Sequence, residues 1–231
     1  MPAKDGSRFL EQFYVRYLAL GWSPIPIEYG GSKRPLVSWR NAQAKRPTED
    51  QCRDWAFRWT NSGIGIVTGA ISGVMVIDVD SPEAATSPFV LALPRTAAVK
   101  TGKWMHYYYR VPVGVTAPTK VKFLPGIDCR GEGGYAIVPP SIHASGSIYE
   151  WINLPEDGIA EIPREVLETI AGKRGTLESF TGASGDTRWK SALGGQAEGG
   201  RNDSAAALIG KLLADAPTEM WETMCWKYVL R

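Results

Sequence analysis

Cysteine and histidine are scarce in this 231-residue chain, which has three of the first and two of the second. Cys52, Cys129 and Cys225 lie far apart and form no CxxC pair, so no structural zinc site or disulfide framework is expected and all three read as free thiols. With two histidines, His106 and His143, no nucleophile motif of the Ser–His or Cys–His kind can be assembled from the sequence. Long apolar runs are missing too, and the N-terminus carries no cleavable signal pattern, so no membrane span and a cytoplasmic setting are expected. Nor does one sign of charge dominate. The 26 Lys and Arg against 24 Asp and Glu leave +2, too little to show nucleic-acid binding by itself, although a local basic face matters more than the sum. The remainder is an ordinary globular composition, 44% hydrophobic and 22% charged, sufficient for one large domain or for one domain with a small companion.

Periodicity supplies the elements. "RFLEQFYVRYLALGW" places Phe9, Phe13, Tyr17 and Leu10, Tyr14, Leu18 at helical spacing, with Gly21 positioned to end the helix. "SPIPIEYGGSKRPLVSW" predicts a short strand and a Gly-Gly loop carrying Lys33 and Arg34, and Thr48 with Gln51 has capping-box spacing, so a helix is expected from Glu49. "GIGIVTG" and "SGVMVIDVDS" each read as a strand, and Ser81 followed by Pro82 starts a helix expected to run through the Glu83 to Leu93 region. A hairpin arm ending in an aromatic strand follows in "AAVKTGKWMHYYYRVP". "TKVKFLPGIDCRGEGGYAIVPPS" predicts three strands joined by a Pro-Gly turn and a Gly-rich turn, "IYEWI" one more strand, and "PREVLETIAG" a helix ended by Gly172. Residues 1–172 therefore read as one core of the α+β (mixed α/β) class, with a mixed or antiparallel sheet flanked by helices. Residues 173–200, rich in Gly, Ser and Thr, read as a linker. Residues 201–231 read as the start of a small helical C-terminal domain that continues in a longer protein, because a helix pair this small cannot bury a core alone.

The strand "VMVIDVD" poses the chemical question. Its apolar block is that of a strand buried on both faces, yet it ends in two carboxylates one residue apart. Side chains at i and i+2 of a strand share a face roughly 7 Å apart, so Asp78 and Asp80 project together and repel. Either a divalent cation, or two of them about 3.5–4 Å apart, removes the conflict, or Asp80 with Ser81 caps the next helix and Asp78 is a solvated turn residue. Two further segments bear on the choice. In "WMHYYYR", His106, Tyr108 and Arg110 alternate onto one strand face, where a histidine is often a satisfied core residue. In "GIDCRGEGGY", Asp128 and Arg130 share a face and are followed by Gly131, Gly133 and Gly134, an arrangement suited to a metal beside a phosphate, since arginine reads phosphate bidentately and glycine-rich backbone offers N–H groups to oxyanions. "GEGG" by itself reads equally as a hairpin turn.

Taken in order, "GIGIVTG … SGVMVIDVDS … TGKWMHYYYR … GIDCRGEGGYAIVPPSIHASGSIYEW" resembles the bifunctional primase–polymerase domain of the archaeo-eukaryotic primase superfamily over roughly the first three quarters of the chain. "EGGRNDSAAALIGKLL" resembles the small helical domain that often follows such a core. The resemblance implies an archaeo-eukaryotic primase-like core acting as a DNA-directed nucleotidyltransferase that uses (d)NTPs, a single-stranded DNA template and a primer. It implies two Mg²⁺ or Mn²⁺ ions held by Asp78, Asp80 and Asp128. His106 and Arg130 are implied to contact the incoming nucleotide, as are Lys33, Lys103 and Ser141. It also implies a phage, plasmid or other mobile-element replication protein, cytoplasmic in a bacterial or archaeal host, with a helicase domain possible downstream. One departure is visible: where the family often has a glycine pair just before the histidine, this chain has Lys103, Trp104 and Met105.

Two rival functions use the same residues. In a non-catalytic DNA- or nucleotide-binding initiation module the acids would be caps and the glycines turns. In a metal-dependent phosphoesterase or nuclease the acids would activate water in place of a primer hydroxyl. For holding a template strand the N-terminal part offers Trp22, Trp39, Trp55 and Trp59 with Arg34, Arg40, Lys45 and Arg46, although tryptophans are more often core.

Overall fold

Residues 5–173 are described by the computed structural model; the expected linker over 173–200, apart from Lys173, and the helical segment over 201–231 lie outside the described residues. In chain order the elements are α1 (Asp5–Ala19), β1 (Ser23–Ile27), α2 (Trp39–Ala44), α3 (Glu49–Arg58), β2 (Gly63–Val67), β3 (Val74–Val79), α4 (Pro82–Ala85), α5 (Pro88–Leu91), β4 (Ala97–Lys100), β5 (Met105–Arg110), β6 (Lys120–Leu124), β7 (Ile127–Arg130), β8 (Tyr135–Val138), β9 (Glu150–Asn153) and α6 (Arg164–Ile170).

Local signals account for most boundaries. Gly21, at φ +77°, ends α1 with its N–H on Leu18 O (2.9 Å) while the Trp22 N–H reaches Tyr17 O (3.0 Å), the backbone reversal that glycine makes without a Cβ penalty. The Thr48–Gln51 capping box is present in both directions at the start of α3. The single helix expected through Glu83 to Leu93 is instead two short ones. Ser81 caps α4 and Ser87 caps α5, because Pro88 has no N–H to continue the first helix and starts the second at its first position.

The strands form two antiparallel sheets rather than one, in the orders β1-β2-β8 and β6-β7-β3-β5-β4-β9. Consecutive strands β2 and β3 part company at a turn where Gly69 (φ +94°) and Gly73 (φ +64°) reverse the backbone, which sends them into different sheets. The larger sheet is the middle layer. From β3, Met75, Ile77 and Val79 pack with Phe89 and Leu91 of α5 and Val166 and Ile170 of α6. The opposite face, through Val74 and Val76, packs with Ile25, Ile64 and Ile137 of the small sheet and Leu10, Tyr14 and Tyr17 of α1. A strand covered by a different layer on each side has to be apolar throughout, which explains the "VMVI" run. Asp78 continues the Val74 and Val76 face at the point where that second core ends.

An aromatic row runs through the second core. Trp22 stacks on Tyr17 (5.8 Å between ring centroids) and on Tyr108 (5.6 Å), with Trp151 6.1 Å away. Trp22 is 1% exposed, so it belongs to the core and takes no part in a template groove. No helix among the described residues is long and apolar enough to cross a membrane.

Candidate active site

Strand register assembles the site. Asp78 stands directly opposite His106 of β5 on one side and opposite Asp128 of β7 on the other, so antiparallel pairing alone brings together residues that are 28 and 50 positions apart in the numbering. The His106 Nε2 lies 3.2 Å from Asp78 Oδ1. Arg130 Nη2 lies 2.6 Å from Asp128 Oδ2 and 3.7 Å from Asp78 Oδ2, so one guanidinium spans the two acids. The second oxygen of Asp128 accepts the Lys122 backbone N–H at 2.6 Å. Asp80 follows β3; its N–H donates to Gly126 O (2.8 Å) and its carboxylate pairs with Lys103 Nζ at 2.9 Å. Asp78, His106, Arg130, Lys33 and Tyr135 line a cavity of about 230 Å³ between the two sheets.

Burial works to raise the Asp78 pKa, but the charge and hydrogen bond of His106 and the charges of Arg130 and Lys33 outweigh it and hold it at about 2. Asp78 is therefore an ionised carboxylate at any physiological pH. Its acid strength in the fold has a measurable consequence. The unfolded chain, with the ordinary value of 3.8, binds the proton first as pH falls. Asp78 therefore stabilises the metal-free protein above about pH 4, and the contribution, roughly 2 kcal/mol, is lost as pH drops towards 2. Chemical denaturation across this range should show a steeper loss for the wild type than for Asp78→Asn; equal slopes would contradict the assignment of the low value to Asp78.

Residues 14–165 match the family described as bifunctional DNA primase/polymerase, N-terminal. The chain belongs to this family. The matched span contains every strand among the described residues and all eight residues singled out from the sequence, and membership brings the family's general activity, DNA primase/polymerase chemistry on DNA and nucleotide. No curated protein matches the chain.

Within this primase–polymerase domain, seven of the eight candidates, Lys33, Asp78, Asp80, Lys103, His106, Asp128 and Arg130, form one charged group at the end of β3. Lys33 is held at φ 58° in the loop after β1, where its carbonyl accepts from the Tyr135 hydroxyl at 3.0 Å. The departure before His106 is explained by packing: Trp104 and Met105 are buried in the core beneath the sheet, leaving Lys103 to reach Asp80. Ser141 is placed elsewhere. It is 3% exposed, and its Oγ donates to Ile64 O (3.1 Å) and accepts from Ile64 N–H (2.8 Å), so both hydrogen-bonding capacities pin the "PPS" turn to β2. It lines a neighbouring cavity of about 370 Å³, which shares Lys33 and Ile137 with the acid-lined one.

Among the described residues no three His, Cys, Asp or Glu side chains stand close enough together to hold a metal ion. What the primase–polymerase domain does present is hard carboxylate oxygen, the donor type that Mg²⁺ and Mn²⁺ take, with positive charge already drawn to it. Arg130 spans Asp78 and Asp128, and Lys103 sits on Asp80. As they stand, the carboxylate oxygens are engaged by His106, Arg130 and Lys103 and do not converge on a single point.

Sequence reasoning passed over two residues here. Tyr149 is 2% exposed, its ring lies 5.9 Å from His106, and its hydroxyl has no hydrogen-bond partner among the described residues. Burial, together with Asp78 and Asp80, pushes the phenol pKa up, so it stays protonated. His143 lies 6.1 Å beyond Tyr149. The available signal was "SIHASGSIY", which carries the second of two histidines in a turn-forming context.

Proposed function

We propose that this domain is a DNA primase–polymerase that joins nucleotides from (d)NTPs to a 3′-hydroxyl on a single-stranded template, in replication of a phage, plasmid or other mobile element. The observation that carries the reading is the register that sets Asp78 beside Asp128 with Arg130 reaching both. Asp78, Asp80 and Asp128 would hold Mg²⁺ or Mn²⁺, which supply charge neutralisation on the triphosphate and a more acidic attacking hydroxyl.

The remaining groups orient and neutralise. Lys33, Lys103 and Arg130 place three cationic side chains around the acids. Arg130 meets both acids through Nη2, and a guanidinium that moves to a phosphate can donate from two nitrogens at once. His106, 4% exposed and bonded to Asp78, cannot swing away, so whatever it touches is held in one place. Phosphoryl transfer of this kind demands positioning and charge stabilisation more than acid–base chemistry, in keeping with a site rich in cations.

Primer extension on a defined template tests this reading. Extension that requires both divalent metal and nucleotide supports it. DNA hydrolysis without added nucleotide would instead favour a nuclease, and DNA binding with neither activity a non-catalytic module. His106→Ala is expected to raise the nucleotide KM about tenfold to a hundredfold, the value of a hydrogen bond to a charged group, with a smaller change in kcat. An unchanged KM would remove His106 from the nucleotide contacts.

A further inference from the structure

The hairpin after β8 carries His143 against the acid site. A bridge between Ile142 and Ile148 closes this turn, and the His143 N–H donates to Ser147 O at 2.8 Å. Inside it the Ser145 N–H donates to His143 Nδ1 at 3.1 Å, and Ser145 Oγ lies 2.9 Å from the same nitrogen. A ring nitrogen that accepts a backbone N–H presents its lone pair there, so the neutral imidazole carries its proton on Nε2. The turn sets the tautomer.

Close packing sets the ring's position. A Cβ on Gly31 would lie 2.3 Å from Ala144 N, and one on Gly102 would lie 2.1 Å from His143 Nδ1. Gly102 precedes Lys103, which pairs with Asp80, so the imidazole rests on the same turn that holds that ion pair. On its other side Tyr149 lies between the two histidines, 6.1 Å from His143 and 5.9 Å from His106. Burial, then Lys33 and Lys103, lower the His143 pKa against the opposing charge of Asp80, so the ring is neutral at neutral pH. A fixed, neutral N–H donor beside two lysines is complementary to phosphate oxygen. It does not suit a cation, since Nδ1 is already engaged and Nε2 bears the proton.

We infer that His143 is a further nucleotide-contacting residue of this site, donating its Nε2–H to a phosphate oxygen of the incoming nucleotide. The inference rests on the nucleotidyl-transfer reading of Asp78 and Asp128. Together with His106 and the two lysines, it adds a donor to the groups whose charges act on one another around Asp80.

Steady-state extension by the wild type, His143→Ala, His143→Gln and Asp78→Asn tests it, with inorganic tripolyphosphate as a competitor that has neither sugar nor base. His143→Ala should raise the nucleotide KM about tenfold with kcat within about twofold, and weaken tripolyphosphate inhibition by a similar factor. His143→Gln, which keeps an N–H donor, should recover much of both. An unchanged KM in His143→Ala overturns the inference. So does a raised KM with unaltered tripolyphosphate inhibition, which would move the contact to the sugar or base. Equal loss in the Ala and Gln variants would show a packing role and also overturn it. Inactive Asp78→Asn alongside a fully normal His143→Ala sinks this inference alone, whereas an active Asp78→Asn sinks the reading of the acids beneath it.

Discussion

Asp78→Asn is expected to lower template-directed primer extension at saturating nucleotide by at least about a thousandfold, while the protein still folds. The size follows from what is removed. A metal-held charge that stabilises the transition state is worth several kcal/mol, and each 1.36 kcal/mol is tenfold in rate. Fold retention follows from shape. Asn is isosteric with Asp, keeps an acceptor for His106 at the 3.2 Å contact, and leaves Arg130 its stronger partner Asp128 at 2.6 Å. Asp128→Asn should have a similar effect on activity, since the two acids are register partners. Extension assays beside thermal melts of the same preparations check both. A variant that melts like the wild type and extends within tenfold of it would remove Asp78 from the chemistry.

Trp22→Ala carries the largest expected effect on stability. Trp22 is 1% exposed and stacked at interplanar angles of 14° and 16° between Tyr17 and Tyr108, so truncation removes buried apolar surface and leaves a cavity between two rings. Such changes cost about 3–5 kcal/mol, a large share of the 5–15 kcal/mol available to a typical domain, and should lower Tm by on the order of 10 °C. Activity should fall as well, because Tyr108 neighbours His106 on the same strand face, with ring centroids 6.5 Å apart. Differential scanning calorimetry decides the point. A shift below about 3 °C would mean that the aromatic row contributes little to the fold.

Local chemistry was well recorded in the sequence. The Thr48 capping box, the Gly21 stop and the Pro125-Gly126 turn each act within a few residues, so their consequences follow from the residues alone. Pro88 was equally legible, yet the apolar residues around it, Phe89, Val90 and Leu91, suggested one continuous helix where there are two. The short α2, six residues with one buried side chain, offers no periodicity to read. The division into two sheets depends on the direction the chain takes at Gly69 and Gly73, which spacing does not encode.

The candidate site divides along the same line. The i, i+2 spacing suggested a shared face for Asp78 and Asp80, but Asp80 lies just past the end of β3, and the acids' different partners, Arg130 and Lys103, come from register and from a turn. That Asp128 meets Asp78 was implied by family resemblance and has its physical cause in the β3–β7 pairing. Ser141 shows the opposite case. A polar residue in a motif lies near the site in sequence, while its hydroxyl is spent on holding the fold together. Tyr149 and His143 escaped notice because nothing in a hairpin turn reveals what it folds against.

A crystal structure of the domain soaked with Mn²⁺ and a nonreactive dNTP tests the central claim most directly. The account predicts anomalous density for manganese in contact with both Asp78 and Asp128, with Arg130 turned from the carboxylates to the triphosphate. Manganese and nucleotide bound away from β3, with Arg130 still bridging the two aspartates, would contradict it.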